Sequence, residues 1–385
     1  MNQKDYLLTQ HNNGEEKLSD LGKNRSFTTL KTNQSMTVKS KQLDTLPYNS
    51  NNRQKRQGHR LGLLCLFLLI LFFLGWYFGL RFGAINYTHR QVLKILQNPL
   101  TNSAVQDVIF DLRLPRTIAA ILVGAAMAVA GAIMQGVTRN PIADPGLLGI
   151  NAGAGLALIL GYAIFGAMHY SLIMLFCLLG SSLAAFLIFG LSYQPRRGYH
   201  QIRLILAGAM VSTLFSAIGQ AITIYFNLST TVIGWQAGGL GQVNWKMLAL
   251  IAPLIIFGLI LAQFLSHQLT ILSLDETVAK SLGQNTLAVT LGLLALVLLL
   301  SAASVAIIGT VSFVGLIIPH FIKMFVGKDY RQLLPLTALS GATFMLWVDL
   351  FCRTLKPPTE TPISAVISII GLPCFLWLIR RGRNL

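Results

Sequence analysis

Residues 61 to 80 read LGLLCLFLLILFFLGWYFGL, a run of twenty residues without a charge. About 20 apolar residues in an α-helix are enough to cross the hydrocarbon core of a bilayer. Some sixty residues of polar sequence precede this run, whereas a cleaved secretory signal has only a short basic start. The stretch therefore predicts a first transmembrane helix that the mature protein retains.

The same apolar character extends over most of the chain. Hydrophobic residues make up 54% of the 385 residues, and charged residues only 11%. Nine further apolar blocks of suitable length follow, at residues 117–137, 147–166, 170–191, 204–226, 247–265, 286–308, 311–326, 333–352 and 362–379. These blocks predict an all-α polytopic membrane protein with ten transmembrane helices in residues 61–385. An even number of crossings places both termini on one side of the membrane.

The net charge of +17 might suggest a nucleic-acid partner, but the placement of the charges argues against one. Residues 1–60 hold eleven Lys and Arg mixed with five acids, and they lack the aromatic pattern of a nucleic-acid surface. We therefore expect a polar, disordered tail and no nucleic-acid partner. The basic residues Arg53 to Arg60 adjoin the first span, which indicates that both termini are cytoplasmic.

A polar interruption, LSLDETVAKSLGQN at 272–285, separates the sixth and seventh blocks on the cytoplasmic side. Ser273 and Glu276 have the spacing of a capping box, and Gly283 is placed to end a helix. Apolar residues recur every four positions, at Leu274, Val278 and Leu282. The pattern predicts a short amphipathic helix over about 273–283. Because an isolated helix of this length is only marginally stable in water, its apolar stripe must pack either on its own protein or on a soluble partner.

Residues for catalysis or metal binding do not cluster in this sequence. The four cysteines are scattered through apolar blocks, and no histidine lies near a second ligand at metal-binding spacing. The phosphate-binding motif GxxxxGK[ST] is absent, so the chain cannot bind ATP by that route. An intramembrane enzyme would need a catalytic pair, and an ion-coupled secondary transporter would need charges at mid-membrane. Almost no charge falls inside the blocks, which disfavours both classes.

Small and polar residues inside the blocks predict contacts between helices. Gly124, Ala128 and Ala132 are spaced by four, which lets membrane helices approach closely and indicates a central second span. For Gln135 and Asn151 we expect hydrogen bonds between helices. Asp349 lies four residues before Arg353, a spacing that predicts an ion pair on one helix face.

Several motifs in order resemble the FecCD/BtuC-type permease subunits of bacterial ABC importers for iron-siderophores, haem and cobalamin. They are LRLPR (112–116), GAAMAVAGAIMQ (124–135), RNPIADPGLLG (139–149), NAGAG (151–155), GTVSFVGLIIPHFIKM (309–324), DYRQLLPLTALSGATFMLWVDLFCR (329–353) and ISIIGLPCFLWLIRR (367–381). The resemblance covers roughly residues 61–385.

The resemblance implies the type II ABC importer permease fold in the bacterial cell membrane. The implied partners are a second permease subunit (a copy or a related chain), two cytoplasmic ATPase subunits and an extracytoplasmic substrate-binding protein. The chain itself would be no enzyme and bind no cofactor, because the ATPase subunits use the ATP. The implied cargo is a ferric siderophore, of hydroxamate type in our prediction, with haem or cobalamin as the alternative.

The resemblance also suggests roles for particular residues. The helix near 273–283 becomes a coupling helix that docks on the ATPase, through Ser273, Leu274, Asp275, Glu276, Val278, Ala279, Lys280, Leu282 and Gly283. Arg113, Arg116 and Arg353 match the arginines that meet acidic residues of the binding protein. Gln220 is a candidate for contact with the passing substrate, and Trp235, in the outer segment 227–245, is a candidate for a gating role at the mouth of the pathway.

Overall fold

The computed structural model describes residues 50–97, 104–194, 198–199, 201–274 and 276–382, and these residues are almost entirely α-helical. The helices in chain order are α1 Ser50–Arg81, α2 His89–Gln97, α3 Ala104–Asp107, a π-helix Val108–Arg113, α4 Leu114–Val137, a 3-10 helix Pro145–Leu148, α5 Ile150–Phe165, α6 Tyr170–Ser192, α7 Gln201–Tyr225, α8 Ser229–Gln236, α9 Trp245–Phe264, α10 Ser266–Leu272, α11 Glu276–Ser281, α12 Thr286–Ile308, α13 Val314–Val326, α14 Tyr330–Thr354 and α15 Ile363–Gly382. An antiparallel hairpin of β1 (Tyr193–Gln194) and β2 (Gly198–Tyr199) joins α6 to α7.

The apolar helices make this chain a multi-pass membrane protein. Seven helical segments are long and apolar enough to cross a bilayer: Leu61–Arg81, Val105–Val137, Tyr170–Ser192, Arg203–Tyr225, Trp245–Phe264, Thr286–Ile308 and Tyr330–Thr354. Three shorter apolar helices are Ile150–Phe165, Val314–Val326 and Ile363–Trp377. Each predicted block thus contains a helix. The shorter three follow helix-breaking residues, which are Gly149, Gly309 and Pro362.

The first helix begins at Ser50, earlier than the predicted boundary at Leu61. Residues 50–60 are therefore helical here, although the sequence places them in the predicted tail. A helix that is already formed extends into polar sequence at low cost, because propagation is easier than nucleation. The rest of the predicted tail, residues 1–49, lies outside the described residues.

The helix α4 is central in the bundle, as its small residues predict. In the most apolar 18 residues of Val105–Val137, 89% of the residues are buried inside the bundle. In the corresponding window of Leu61–Arg81 in α1, only 11% are buried. A Cβ added to Gly124 would overlap the Gly341 carbonyl of α14, and one added to Gly131 would overlap Gly315 of α13. Glycine is needed at both positions because the backbones are in contact.

We expect Gly131→Leu to lower the free energy of unfolding by roughly 1–3 kcal/mol, because the added side chain separates α4 from α13. The measurement is thermal unfolding of the purified protein in detergent. Gly190→Leu in α6 is the matched control, since a Cβ there meets nothing within 4 Å. Equal stability of the two variants would contradict the close contact.

The turn predicted for RNPIADPGLLG is present between α4 and α5. Asp144 Oδ1 accepts a hydrogen bond from Gly146 N at 2.7 Å and caps the 3-10 helix, and Gly149 adopts a left-handed φ of 65°. Burial raises the pKa of the Asp144 carboxyl above its ordinary value, and the hydrogen bond from Gly146 opposes that rise. The turn places the first residues of α5 beside the cavity described next.

Candidate functional site

An open cavity of about 660 Å³ lies between α5, α7 and α8, and the linker before α13 completes its wall. Gln220 and Trp235, the two residues predicted to lie along the pathway, both line it. The other polar lining residues are Asn151, Ser212, Ser216, Thr223, Ser229, Gln236, Thr310 and Ser312. None of the described lining residues is charged, so the wall offers hydrogen bonds without ion pairs.

Trp235 Nε1 and the Asn151 side chain are two of the cavity's polar groups that make no hydrogen bond to another described residue. Trp235 Nε1 is buried and has no hydrogen-bond partner among the described residues. The expected bond from Asn151 to another helix is likewise not formed within the described part of the chain. That prediction was wrong because α5 begins at Ile150, and its first turn lines the cavity. Both side chains are therefore candidates for contact with a bound molecule.

Gln135 does form the predicted hydrogen bonds between helices. Its Nε2 donates to the carbonyls of Gly315 and Leu316 at 3.3 and 3.0 Å, and its Oε1 accepts from Lys323 Nζ at 3.0 Å. The Lys323 ammonium also lies 5.3 Å from the centre of the Tyr330 ring. Sequence reasoning missed Lys323, because a single cation near the end of an apolar block is also typical of a membrane interface.

Three arginines predicted to dock a binding protein lie together at one end of the bundle, here called the arginine end. Arg113, Arg116 and Arg353 are only 6%, 8% and 7% exposed, an enclosure that the sequence did not predict. Arg113 Nη1 donates to the carbonyls of Leu80 and Arg81 at 2.7 and 2.9 Å. The carbonyl groups at the end of α1 thus cover this guanidinium group and satisfy it within the chain.

The carboxylate of Asp349 is shared by Arg116 and Arg353. Arg116 Nε and Nη2 each lie 2.8 Å from Asp349 Oδ1, and Arg353 Nε lies 3.4 Å from Asp349 Oδ2. The predicted pair of Asp349 with Arg353 is confirmed. Arg116 also forms a bidentate ion pair with Glu360, in the loop between α14 and α15. Buried charges are tolerated when they are paired, so the network joins α4 to α14 and to this loop.

The arginine end and α11 lie at opposite ends of the bundle. α14 starts beside α10, where Tyr330 N donates to Thr270 Oγ1 at 3.1 Å, and its 25 residues end at Thr354 in the arginine end. At about 1.5 Å per residue the helix is ~37 Å long, which is enough to cross a bilayer. α9 likewise runs from Trp245, whose Nε1 donates to the Phe110 carbonyl at 2.9 Å, to α10.

The predicted amphipathic helix is present as α11 but is shorter than expected, at Glu276–Ser281. The capping box is wrong, because Ser273 is the C-cap of α10 and its hydroxyl donates to the Thr270 carbonyl at 2.8 Å. The end at Gly283 is confirmed. This glycine has a φ of 77°, and its N–H donates to the Lys280 carbonyl at 3.0 Å.

The apolar stripe of this segment points away from its own protein. Leu274, Val278 and Leu282 are 57%, 42% and 64% exposed, whereas Ala279 is fully buried. Within the described part of the chain, Ala279 and not the stripe makes the buried contact with the bundle. Exposed apolar side chains rimmed by polar residues are typical of a docking surface for another protein. Asp275 lies outside the described residues.

Comparison with known proteins identifies the family. The sequence model of the FecCD transport family matches residues 67–381. The chain belongs to the FecCD transport family. Members of this family are permease subunits of ABC transporters and are not themselves enzymes.

Similar proteins support the assignment of this FecCD chain over most of its length. It is 39% identical to the iron(3+)-hydroxamate import system permease protein FhuB of Bacillus subtilis over 82% of each chain. It is 38% identical to the hemin transport system permease protein HmuU of Yersinia pestis, covering 84% of this chain and 96% of that one. A metal-chelate type ABC transporter in an inward-facing conformation matches with a TM-score of 0.73 and 31% identity, covering 83% of this chain and 99% of that chain.

Proposed function

We propose that this FecCD permease takes up a ferric siderophore of the hydroxamate type, delivered by an extracytoplasmic substrate-binding protein. It forms half of a gated pathway with a second permease subunit, which is either a copy or a related chain. Two cytoplasmic ATPase subunits hydrolyse the ATP, and this chain binds no cofactor directly. The observation that carries the choice of cargo is the uncharged wall of the 660 Å³ cavity.

An uncharged, hydrogen-bonding wall suits a cargo with little net charge. A ferric hydroxamate whose ligand charges cancel that of the iron is neutral, whereas ferric citrate and catecholate complexes are anionic. Carrying an anion through a low-dielectric region would call for cations in the wall. The wall instead presents neutral groups such as the side chains of Gln220 and Asn151. Weak, distributed contacts also allow the cargo to leave.

The proposed topology has ten crossings, with both termini in the cytoplasm, in the type II importer fold. The three shorter apolar helices complete the count, because non-helical backbone at membrane depth is tolerated where it lines a cavity. Thr310 and Ser312, just before α13, line the cavity in this way. The arginine end then faces outward and α11 faces the cytoplasm, where its exposed stripe meets an ATPase subunit.

The test of function is uptake of labelled ferric hydroxamate into liposomes that contain the complete transporter, with the binding protein outside and ATP inside. We expect ATP-dependent uptake of the hydroxamate, and none of ferric catecholate or haem. Uptake of haem alone would favour the haem permease of the same family. Uptake by this chain alone, driven by an ion gradient without ATP, would favour an ion-coupled secondary transporter.

We expect Gln220→Ala to lower the rate of hydroxamate uptake roughly fivefold at low substrate, because one hydrogen bond contributes about 1 kcal/mol. The measurement is the initial rate in the same liposomes. Thr213→Ala is the matched control, since Thr213 lies on α7 but its hydroxyl bonds the Ala209 carbonyl of its own helix. Equal rates for the two variants would contradict a role for Gln220 in the pathway.

A further inference from the structure

Arg116 holds two carboxylates that differ in accessibility. The Asp349 side chain is 2% exposed and is also held by Arg353, whereas the Glu360 side chain is 43% exposed in a loop. Arg116 uses Nε and Nη2 toward Asp349, and Nη1 and Nη2 toward Glu360, so both edges of its guanidinium group are occupied. Another carboxylate can bind Arg116 only by replacing one of these, and Glu360 is the accessible one.

The arginine end also keeps a positive charge that the described residues there do not balance. Arg116 and Arg353 are paired with Asp349 and Glu360. Arg113 is bound by the backbone carbonyls at the end of α1, and in the described ranges no carboxylate pairs with it. Three guanidinium groups therefore face two carboxylates, and this surplus favours an acidic partner.

Glu360 also lies beside the linker that follows α8. A Cβ added to Gly241 would lie 3.1 Å from Glu360 Oε2, and Gly241 belongs to the linker between α8 and α9. The same linker is held by Ser364 at the start of α15, whose hydroxyl donates to the Ala237 carbonyl at 2.7 Å.

We propose that Glu360 occupies the place on Arg116 that an acidic side chain of the substrate-binding protein takes during docking, so that docking exchanges one carboxylate for another. The inference rests on the proposed function, which assigns the arginine end to the binding protein. Asp349 keeps Arg116 oriented throughout the exchange. The displaced Glu360 leaves its place beside Gly241. An enclosed arginine thereby becomes a docking residue.

The experiment measures the affinity of the purified substrate-binding protein for the complete transporter in nanodiscs, by surface plasmon resonance at low salt. We expect Glu360→Gln to tighten docking about tenfold, because the incoming carboxylate no longer displaces a charge-assisted hydrogen bond. Thr359→Ala is the control for a neutral change in the same loop, since its hydroxyl bonds only the Lys356 carbonyl. The control should leave the affinity unchanged.

If the Glu360→Gln transporter binds the substrate-binding protein with the same or lower affinity than the Thr359→Ala transporter does, the proposed exchange is wrong. Glu360 then only anchors its loop. If Glu360→Gln does not assemble, Glu360→Asp replaces it, because the side chain is shorter by one methylene and its pair with Arg116 is weaker. The expected direction is the same, and failure to tighten overturns the exchange. Absence of docking to the unchanged transporter overturns the proposed function as well, so the two failures are distinguishable.

Discussion

ATP hydrolysis coupled to transport is expected to fall by at least about tenfold when Val278 and Leu282 are both changed to Asp. The Val278 side chain on α11 is 42% exposed, and that of Leu282, just after this helix, is 64% exposed. Two apolar anchors of a protein interface each contribute on the order of 1–2 kcal/mol or more. Carboxylates in their place are unfavourable in an apolar cleft of the ATPase subunit. The measurement is ATPase activity stimulated by loaded binding protein, with membrane insertion checked by fractionation.

The matched control for this pair is Ile142→Asp. Ile142 is 43% exposed in the turn between α4 and α5, which the proposed topology also places on the cytoplasmic face. The Ile142→Asp substitution therefore introduces an acid of similar exposure on the same face but outside the coupling segment. The variant should retain coupled ATP hydrolysis. Coupled hydrolysis that survives in Val278→Asp/Leu282→Asp would show that the exposed stripe is not the ATPase contact.

Replacing Asp349 by Ala is expected to lower the free energy of unfolding by about 3–5 kcal/mol, because removal of one partner leaves buried charge uncompensated. Asp349 is 1% exposed and lies between Arg116 and Arg353, so its loss leaves two guanidinium groups facing each other. Arg353 would retain only the Gly79 carbonyl, to which its Nη2 donates at 2.8 Å. The measurement is thermal unfolding in detergent, together with the yield of folded protein.

Asp111→Ala serves as the control for Asp349→Ala, since Asp111 is an exposed acid in the π-helix near the same end. Its loss should change the stability by less than about 0.5 kcal/mol. If Asp349→Ala is as stable as this control, the buried network does not hold α4 to α14.

Because of the same network, charge reversal at Arg116 would affect the stability of the protein as well as the docking of the binding protein. A third carboxylate beside Asp349 and Glu360 would unfold this end of the bundle, so Glu360→Gln is the better test of docking.

Helices and turns were predictable where the cause is local. The apolar blocks, the close contact at Gly124 and the helix end at Gly283 follow from bilayer thickness, side-chain size and backbone conformation. The capping box at Ser273 failed because Ser273 ends α10, where its hydroxyl donates to the Thr270 carbonyl, and α11 begins only at Glu276. Residue spacing alone does not show whether a serine caps the end of one helix or the start of the next.

The candidate site was predictable in part. Gln220 and Trp235 were chosen separately, one as a polar residue inside a span and the other from an aromatic outer segment, and the structure brings them to one cavity. Asn151 joined them because the first turn of α5 lines that cavity. The exposure of Leu274 and Leu282 also needed the structure, since an amphipathic pattern does not say whether the apolar stripe faces the chain or a partner.

By itself the amino-acid sequence determined that this chain crosses a membrane repeatedly, that it lacks the ATP-binding phosphate loop, and which segment is amphipathic. Each of these depends on neighbouring residues and on the thickness of a bilayer. The tertiary structure alone decided that Arg116 is enclosed between Asp349 and Glu360, partners 233 and 244 residues away. No local periodicity encodes such a contact, because it depends on how α4 and α14 pack, and packing also determines whether an arginine is available to a partner.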